Sequence, residues 1–186
     1  MKMDPVNMGN DIDHLLLKEE EIKARVAELG REISEDYRGK ELLMVGILKG
    51  AVVFFSDLIR SIDIPLAIDF MATSRYADNT VGASDVSFRK DLDTGVAGKH
   101  VILVEDIVDS GRTLQFLKDT LKTRGAASIR ICTLMDKPER REVELNADYI
   151  GFTIPNEFVV GYGLDYAEKY RNLKDIGVLK ESVYNG

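Results

Sequence analysis

Val101-Ile102-Leu103-Val104-Glu105-Asp106-Ile107-Val108-Asp109-Ser110-Gly111-Arg112-Thr113 is the stretch on which the reading turns. Its first four residues are all apolar, which predicts a strand buried on both faces. Glu105 and Asp106 then set two carboxylates side by side at that strand's end. Adjacent acids repel, and desolvating them is costly. They need a cation or a donor-rich ligand, and a diol or a hydrated Mg²⁺ would serve. Asp109-Ser110-Gly111-Arg112-Thr113 leads into a helix running to about residue 124. Open N–H groups at a helix start, with a glycine that permits close approach, cradle an anion. Ser110 and Thr113 add hydroxyl donors. Singly, each residue has an ordinary reading, with Asp109 or Ser110 as helix N-cap and Gly111 as a turn residue. Together they fit one ligand carrying a diol at one end and a phosphate at the other, as ribose 5-phosphate does.

Working outward, strands and helices alternate. Residues 14–37 place Leu15, Leu16, Ile22, Val26, Leu29 and Ile33 among charged residues, which predicts an amphipathic helix ended by Gly39, with His14 at its start. Residues 42–48 are an unbroken apolar run, hence a strand, interrupted by Lys49-Gly50. Residues 51–62 read as a helix with Val52, Phe55 and Ile59 on its buried stripe, and residues 66–71 as a second strand. From 72 to 92 the pattern dissolves into small, polar and charged residues, and a stretch of that length inside a domain points to function or disorder. After the helix that follows Gly111, with Leu114, Leu117 and Leu121 inward and Gly125 as its stop, come strands at 129–135 and 149–153. The alternation predicts an α/β fold with a mostly parallel sheet and right-handed crossovers, whose ligands bind at the carboxyl ends of the strands.

Composition narrows the classes. The 186 residues suit one domain with a full-sized core, and the formal charge of -7 argues against DNA or RNA as main partner. The single cysteine, Cys132, can form neither an internal disulfide nor a thiolate metal site and reads as a small buried hydrophobe. His14 and His100 read as structural or surface residues. No apolar run reaches the ~20 residues of a membrane span, and no secretory signal pattern stands at Met1-Lys2-Met3-Asp4-Pro5, so the expected location is cytoplasmic. There is no G-x-x-x-x-G-K-[ST], and Gly161-Tyr162-Gly163 lacks the third glycine of a dinucleotide fingerprint, Tyr166 standing there.

The string around Asp109 resembles the phosphoribosyl pyrophosphate motif of type I phosphoribosyltransferases. Further blocks are similar to the hypoxanthine-guanine branch of that family: Gly46-Ile47-Leu48-Lys49-Gly50, Asp69-Phe70-Met71, Asp136-Lys137-Pro138-Glu139-Arg140-Arg141, Gly151-Phe152-Thr153-Ile154-Pro155 and Glu157-Phe158-Val159-Val160-Gly161-Tyr162-Gly163-Leu164-Asp165-Tyr166. The likeness runs from about residue 40 to 180. It implies the type I fold in a single domain, with a core over about 40–155, a small hood built from the chain ends and a mobile lid at about 74–88.

The resemblance also implies roles. Glu105 and Asp106 hold the ribose hydroxyls, and Asp109 to Thr113, including Ser110, Gly111 and Arg112, take the 5′-phosphate. Asp109 is the general base near N7 of the purine. Lys49, Gly50 and Arg171 bind pyrophosphate, with the Lys49–Gly50 peptide often cis in the family. Lys137 donates to the purine O6, Phe158 stacks on the base, and Val159 offers backbone groups to its edge. Asp165 lies at the purine site and binds the pyrophosphate-borne Mg²⁺ through water, Glu105 and Asp106 being further candidates for the metal. Ser74, Arg75 and Tyr76 belong to the lid. Arg75 stands directly before Tyr76 where the family often has Ser, and Asn156 replaces a common acid at a position expected to be peripheral. Partners are phosphoribosyl pyrophosphate and a 6-oxopurine, with neither nucleic acid nor membrane, in a homodimer or homotetramer. Two alternatives stay open: an RNA-binding regulator of the same fold, and a transferase for xanthine or a pyrimidine.

Overall fold

The computed structural model describes residues 9–75 and 86–185. In chain order its strands are β1 (Ile12–Leu17), β2 (Leu42–Leu48), β3 (Leu66–Arg75), β4 (Val86–Lys90), β5 (His100–Val108), β6 (Ser128–Asp136), β7 (Tyr149–Thr153), β8 (Val159–Val160) and β9 (Ile176–Leu179). Its helices are α1 (Glu19–Tyr37), α2 (Val52–Arg60), α3 (Arg112–Thr123) and α4 (Glu181–Tyr184), with a 3₁₀ turn at Pro138–Arg140.

Six strands form one sheet in the order β4-β3-β2-β5-β6-β7, parallel except for β4. The unbroken apolar runs occupy its middle because they are covered on both faces. Leu42 and Met44 of β2 face one side, with Ile22, Val26, Leu29 and Ile33 of α1 and Phe54, Phe55 and Leu58 of α2. Leu43, Val45 and Ile47 face the other, with Leu114, Leu117 and Leu121 of α3. Strand period two and helix period 3.6 thus meet in two buried layers. Gly46 stands on the first face, where an added Cβ would press on the tilted Phe55–Phe70 ring pair. Cys132 is fully buried there, and burial pushes its thiol far up, as suits a small hydrophobe. His100 is structural, within hydrogen-bond distance of Ser128 and edge-on to Tyr37.

Four local expectations change. The helix foreseen over residues 14–37 begins only at Glu19, and Ile12–Leu17 is a strand carrying His14. That strand pairs antiparallel with β9, which pairs with β8, so both chain ends build a separate three-stranded sheet. A partner about 160 positions away in the chain overrode a local helical spacing. In α2 the buried residues are Phe54, Phe55 and Leu58, and Val52 is 42% exposed, because the helix is rotated from the expected stripe. Within the irregular stretch 72–92, β3 continues to Arg75 and β4 pairs against it from Val86, backbone pairing supplying what side-chain pattern did not. Residues 76–85, including Tyr76, lie outside the described residues. Finally, β5 extends to Val108, pairing with Asp136, so Glu105 and Asp106 stand inside the ladder rather than after it.

Candidate active site

The two adjacent acids sit where β5 runs between β2 and β6. Beyond the Gly46–Val104 pair, β2 no longer flanks β5, which leaves Glu105 and Asp106 near an open end of the sheet. Burial pushes the Glu105 carboxyl well above the usual carboxylate range, reinforced by the neighbouring Asp106 charge and a hydrogen bond between the two side chains. Burial raises Asp106 too, offset by hydrogen bonds from Glu105 and the Ile107 N–H and by the Arg171 charge. Such a pair favours a ligand that brings donors or positive charge.

The Asp106 carboxylate lies against the α-carbon of Gly50, where an added methyl would overlap Oδ2. Gly50 O in turn lies against Gly163, whose φ of 105° and close approach both demand glycine. A cis peptide bond is present beside this contact, at Leu48–Lys49, one residue earlier than the Lys49–Gly50 bond expected. Leu48, paired with Ala72, is the last residue of β2 in the ladder, so the chain turns away at the next bond.

The start of α3 settles the ordinary reading of Asp109 and Ser110. The N-cap is Gly111 in the left-handed region, φ 81°, and no side chain caps the helix. Ser110 is buried, and its Oγ is 3.5 Å from the Arg112 N–H. The Arg112 side chain turns outward to Glu142 at 2.5 Å, so its part in this loop is its backbone. A cavity of about 220 Å³ opens onto this helix start, lined by Glu105, Asp109, Ser110, Gly111, Thr113 and Thr73 among others. Ser74 next to it bonds Ser87 across the β3–β4 pair, hydroxyl to hydroxyl at 2.9 Å.

A second cavity, about 440 Å³, adjoins the first. Lys137, Phe158, Val159 and Asp165, which the resemblance grouped at one site, all line it, and Asn156 does too, rather than lying peripheral to it. Asn156 follows Pro155 on the segment leading to Phe158, and that segment forms the cavity wall. Lys137 is buried, donates to Glu157 O at 2.5 Å, and is held by burial below the ordinary lysine pKa. Phe158 remains 41% exposed. Asp109 and Ile107 line both cavities. Arg140 Nε donates to Asp109 Oδ1 at 3.0 Å, and Arg141 grips both the Asp109 carbonyl, at 2.6 Å, and Asp136.

Lys49 and Arg171 meet at a third acid. Glu168 reaches Lys49 Nζ at 3.0 Å and Arg171 Nη2 at 3.4 Å. Arg171 also pairs with Asp165 at 2.7 Å and donates to Gly163 O at 2.8 Å, while its buried Nε has no partner among the described residues. Ala167, Glu168 and Tyr170 all have positive φ, a strained turn of the kind found where a loop is held for function. Asp165 Oδ2 accepts from the Glu168 N–H, so both its oxygens are engaged. Among the described residues no three metal-ligating side chains cluster, and a divalent ion would meet one or two carboxylates at a time. Sequence reasoning missed Arg140, Arg141, Glu168 and Tyr184. The two arginines stood in a block already noted for Lys137, and the other two carried no local signal.

A family model for the phosphoribosyl transferase domain matches residues 15–167. A hypoxanthine-guanine phosphoribosyltransferase of Streptococcus thermophilus is 50% identical over 96% of this chain and 99% of its own length. The bifunctional protein TilS/HprT of Listeria monocytogenes is 51% identical over 96% of this chain, which spans only 28% of that relative's length. A crystal structure of a hypoxanthine phosphoribosyltransferase from Staphylococcus aureus superposes with a TM-score of 0.93 at 48% identity, covering both chains fully. No described helix is long and apolar enough to cross a membrane. Fold, cavities and relatives together place the chain in the phosphoribosyltransferase family, in its hypoxanthine-guanine branch.

Proposed function

We propose that the chain transfers the 5-phosphoribosyl group from phosphoribosyl pyrophosphate to N9 of hypoxanthine or guanine, giving IMP or GMP and pyrophosphate. One observation carries this reading: Asp109, beside Ile107, stands in the wall shared by two cavities of opposite character. One offers carboxylates and an uncapped helix start, and the other a buried lysine and an exposed aromatic ring.

Ribose hydroxyls donating to Glu105 and Asp106 relieve the repulsion of the pair, and the 5′-phosphate sits at the helix-start loop from Ser110 to Thr113, drawing the Arg112 N–H from its 3.5 Å contact with Ser110 Oγ. The N9–C1′ bond forms as the bond from C1′ to the pyrophosphate oxygen breaks. The N7 proton passes to Asp109, whose carboxylate faces the base. Lys49 and Arg171 neutralise the departing pyrophosphate, Gly50 lets it come close, and the unpartnered Arg171 Nε suits an incoming phosphate oxygen. The substrate must draw both cations from Glu168; an exposed pair of this kind contributes only about 0–1 kcal/mol, so the exchange is inexpensive. Lys137 presents a donor to O6, which adenine's 6-amino group cannot accept in the same way. Phe158 stacks on the base and Val159 reads its edge.

Mg²⁺ fits this site as a substrate-borne ion. It would supply charge neutralisation on the pyrophosphate, with Asp165 contacting it through water and Glu105 and Asp106 at the ribose side. The lid at 74–88 with Ser74, Arg75 and Tyr76, the hood from the chain ends, and a homodimer or homotetramer complete the reading. A cytoplasmic location follows from a substrate too highly charged to cross a bilayer unaided.

Steady-state rates with hypoxanthine, guanine, xanthine, adenine and uracil, each with and without Mg²⁺, test the proposal. The expected result is Mg²⁺-dependent turnover of the first two and none of adenine or uracil; turnover confined to uracil or adenine would overturn it. Gly50→Ala forces the Asp106 carboxylate aside. A displacement of about 1 Å can cost ~10²-fold. The same assay, run against phosphoribosyl pyrophosphate concentration, should show a kcat/KM loss of that order.

A further inference from the structure

The second cavity has one wall supplied by the last helix of the chain. The Tyr184 ring, at the end of α4, lies parallel to that of Phe158, with centroids 4.9 Å apart and planes 22° from each other. Tyr166 meets Phe158 from another side, edge to face at 5.7 Å. Phe158 is otherwise a poorly held residue. It is 41% exposed and immediately precedes a two-residue strand, so its aromatic neighbours, more than its backbone, settle the plane of the ring. Two ties fix Tyr184 in turn. Leu179 N donates to Phe158 O at 2.8 Å, which brings β9 and α4 alongside the ring. Lys180 then fastens the start of α4 to the N-terminal segment, its N–H to Asp11 O at 2.9 Å and its Nζ to Asn10 O at 2.6 Å. Tyr184 itself packs against the small cluster of Val160, Tyr170 and Leu179.

We propose that Tyr184 is a positioning residue for base recognition, holding Phe158 in the plane on which a purine stacks while closing the end of the cavity. The inference rests on the transferase reading above. The base takes the Phe158 face that Tyr184 leaves open, and the chain's last turn therefore governs affinity for the base and leaves the sugar-phosphate half untouched. The helix start and Glu105 belong to the other cavity, which Tyr184 does not line.

The test uses the full chain with Y184A, Y184L and Y184F, assayed against hypoxanthine at saturating phosphoribosyl pyrophosphate and then the reverse. An aromatic pair contributes roughly 2- to 10-fold beyond its area. Y184A and Y184L are expected to raise KM for the base about 3- to 10-fold, with kcat and KM for phosphoribosyl pyrophosphate within twofold. Y184F keeps the ring and restores the base KM. Y184L preserves apolar burial, so a loss in Y184A alone would assign the effect to folding and overturn the proposal. An unmoved base KM overturns it, as do equal rises in both KM values. A lowered base KM also does, since Tyr184 would then be occupying the purine's own place. Turnover of hypoxanthine by the unaltered chain separates this failure from that of the transferase reading, which falls only if the unaltered chain turns over no 6-oxopurine.

Discussion

The double substitution Glu105→Gln, Asp106→Asn is expected to raise the thermal midpoint of the ligand-free protein while removing nearly all transfer activity. In the free protein the pair is a liability: both carboxyls are pushed up by burial, and Glu105 is pushed further by its neighbour's charge. Amides of the same shape end the repulsion and keep an oxygen for the Ile107 N–H. Each kcal/mol of relief should raise Tm by about 2–4 °C in a chain of this size. Without the carboxylates, two charge-assisted hydrogen bonds to the ribose are lost, each worth about 1.5–3 kcal/mol. That corresponds to a fall in kcat/KM for phosphoribosyl pyrophosphate of roughly 10²- to 10⁴-fold. The pH dependence carries the same sign. A Glu105 pKa above the ordinary 4.5 means the folded chain keeps a proton that the unfolded chain releases. Glu105's own contribution to stability is therefore greatest below 4.5 and is lost as pH rises through the folded value. Calorimetry across pH should show the variant's Tm advantage over the parent widening as pH rises. A lower Tm, or retained turnover, would show that the pair is not held in tension for a ligand.

Asp109→Asn should lower turnover with hypoxanthine by roughly 10²- to 10⁴-fold, the usual contribution of a placed general base. Binding of phosphoribosyl pyrophosphate should survive, because the loop is held by its backbone. Arg141 donates to the Asp109 carbonyl, and Ser110 O accepts from Glu142 N at 3.0 Å. Asparagine retains the oxygen that meets Arg140 and loses only the capacity to accept a proton. Titration calorimetry with phosphoribosyl pyrophosphate alongside steady-state kinetics separates the two effects. Undiminished turnover would remove Asp109 from the proton transfer, and a matching loss of binding would make its role structural.

What could be read without coordinates was local. β2 and the first half of β5 announce themselves because a strand segment covered on both faces is an unbroken apolar run, β6 by its largely apolar residues, and α3 because its leucines and Gly125 mark a face and a stop. The stretch from Glu105 to Thr113 was legible for the same reason: acids, glycine and hydroxyls of one site stand within nine consecutive positions. Its neighbours in space were not. Leu17 meets Ile176, Gly50 meets both Asp106 and Gly163, Lys49 meets Glu168, and Tyr184 covers Phe158. Each of those contacts joins segments tens of residues apart, and none leaves a periodic trace in either segment. A leucine-rich β1 beside a charged helix satisfied helical spacing until β9 claimed its backbone. By itself, then, the sequence determined the parallel strands of the main sheet and the helices that cover them, and it set acids, glycine and hydroxyls together at the end of one strand. Tertiary structure alone decided how the two cavities share Asp109, because only chain closure brings the 3₁₀ turn, β8 and the last helix to the same strand end.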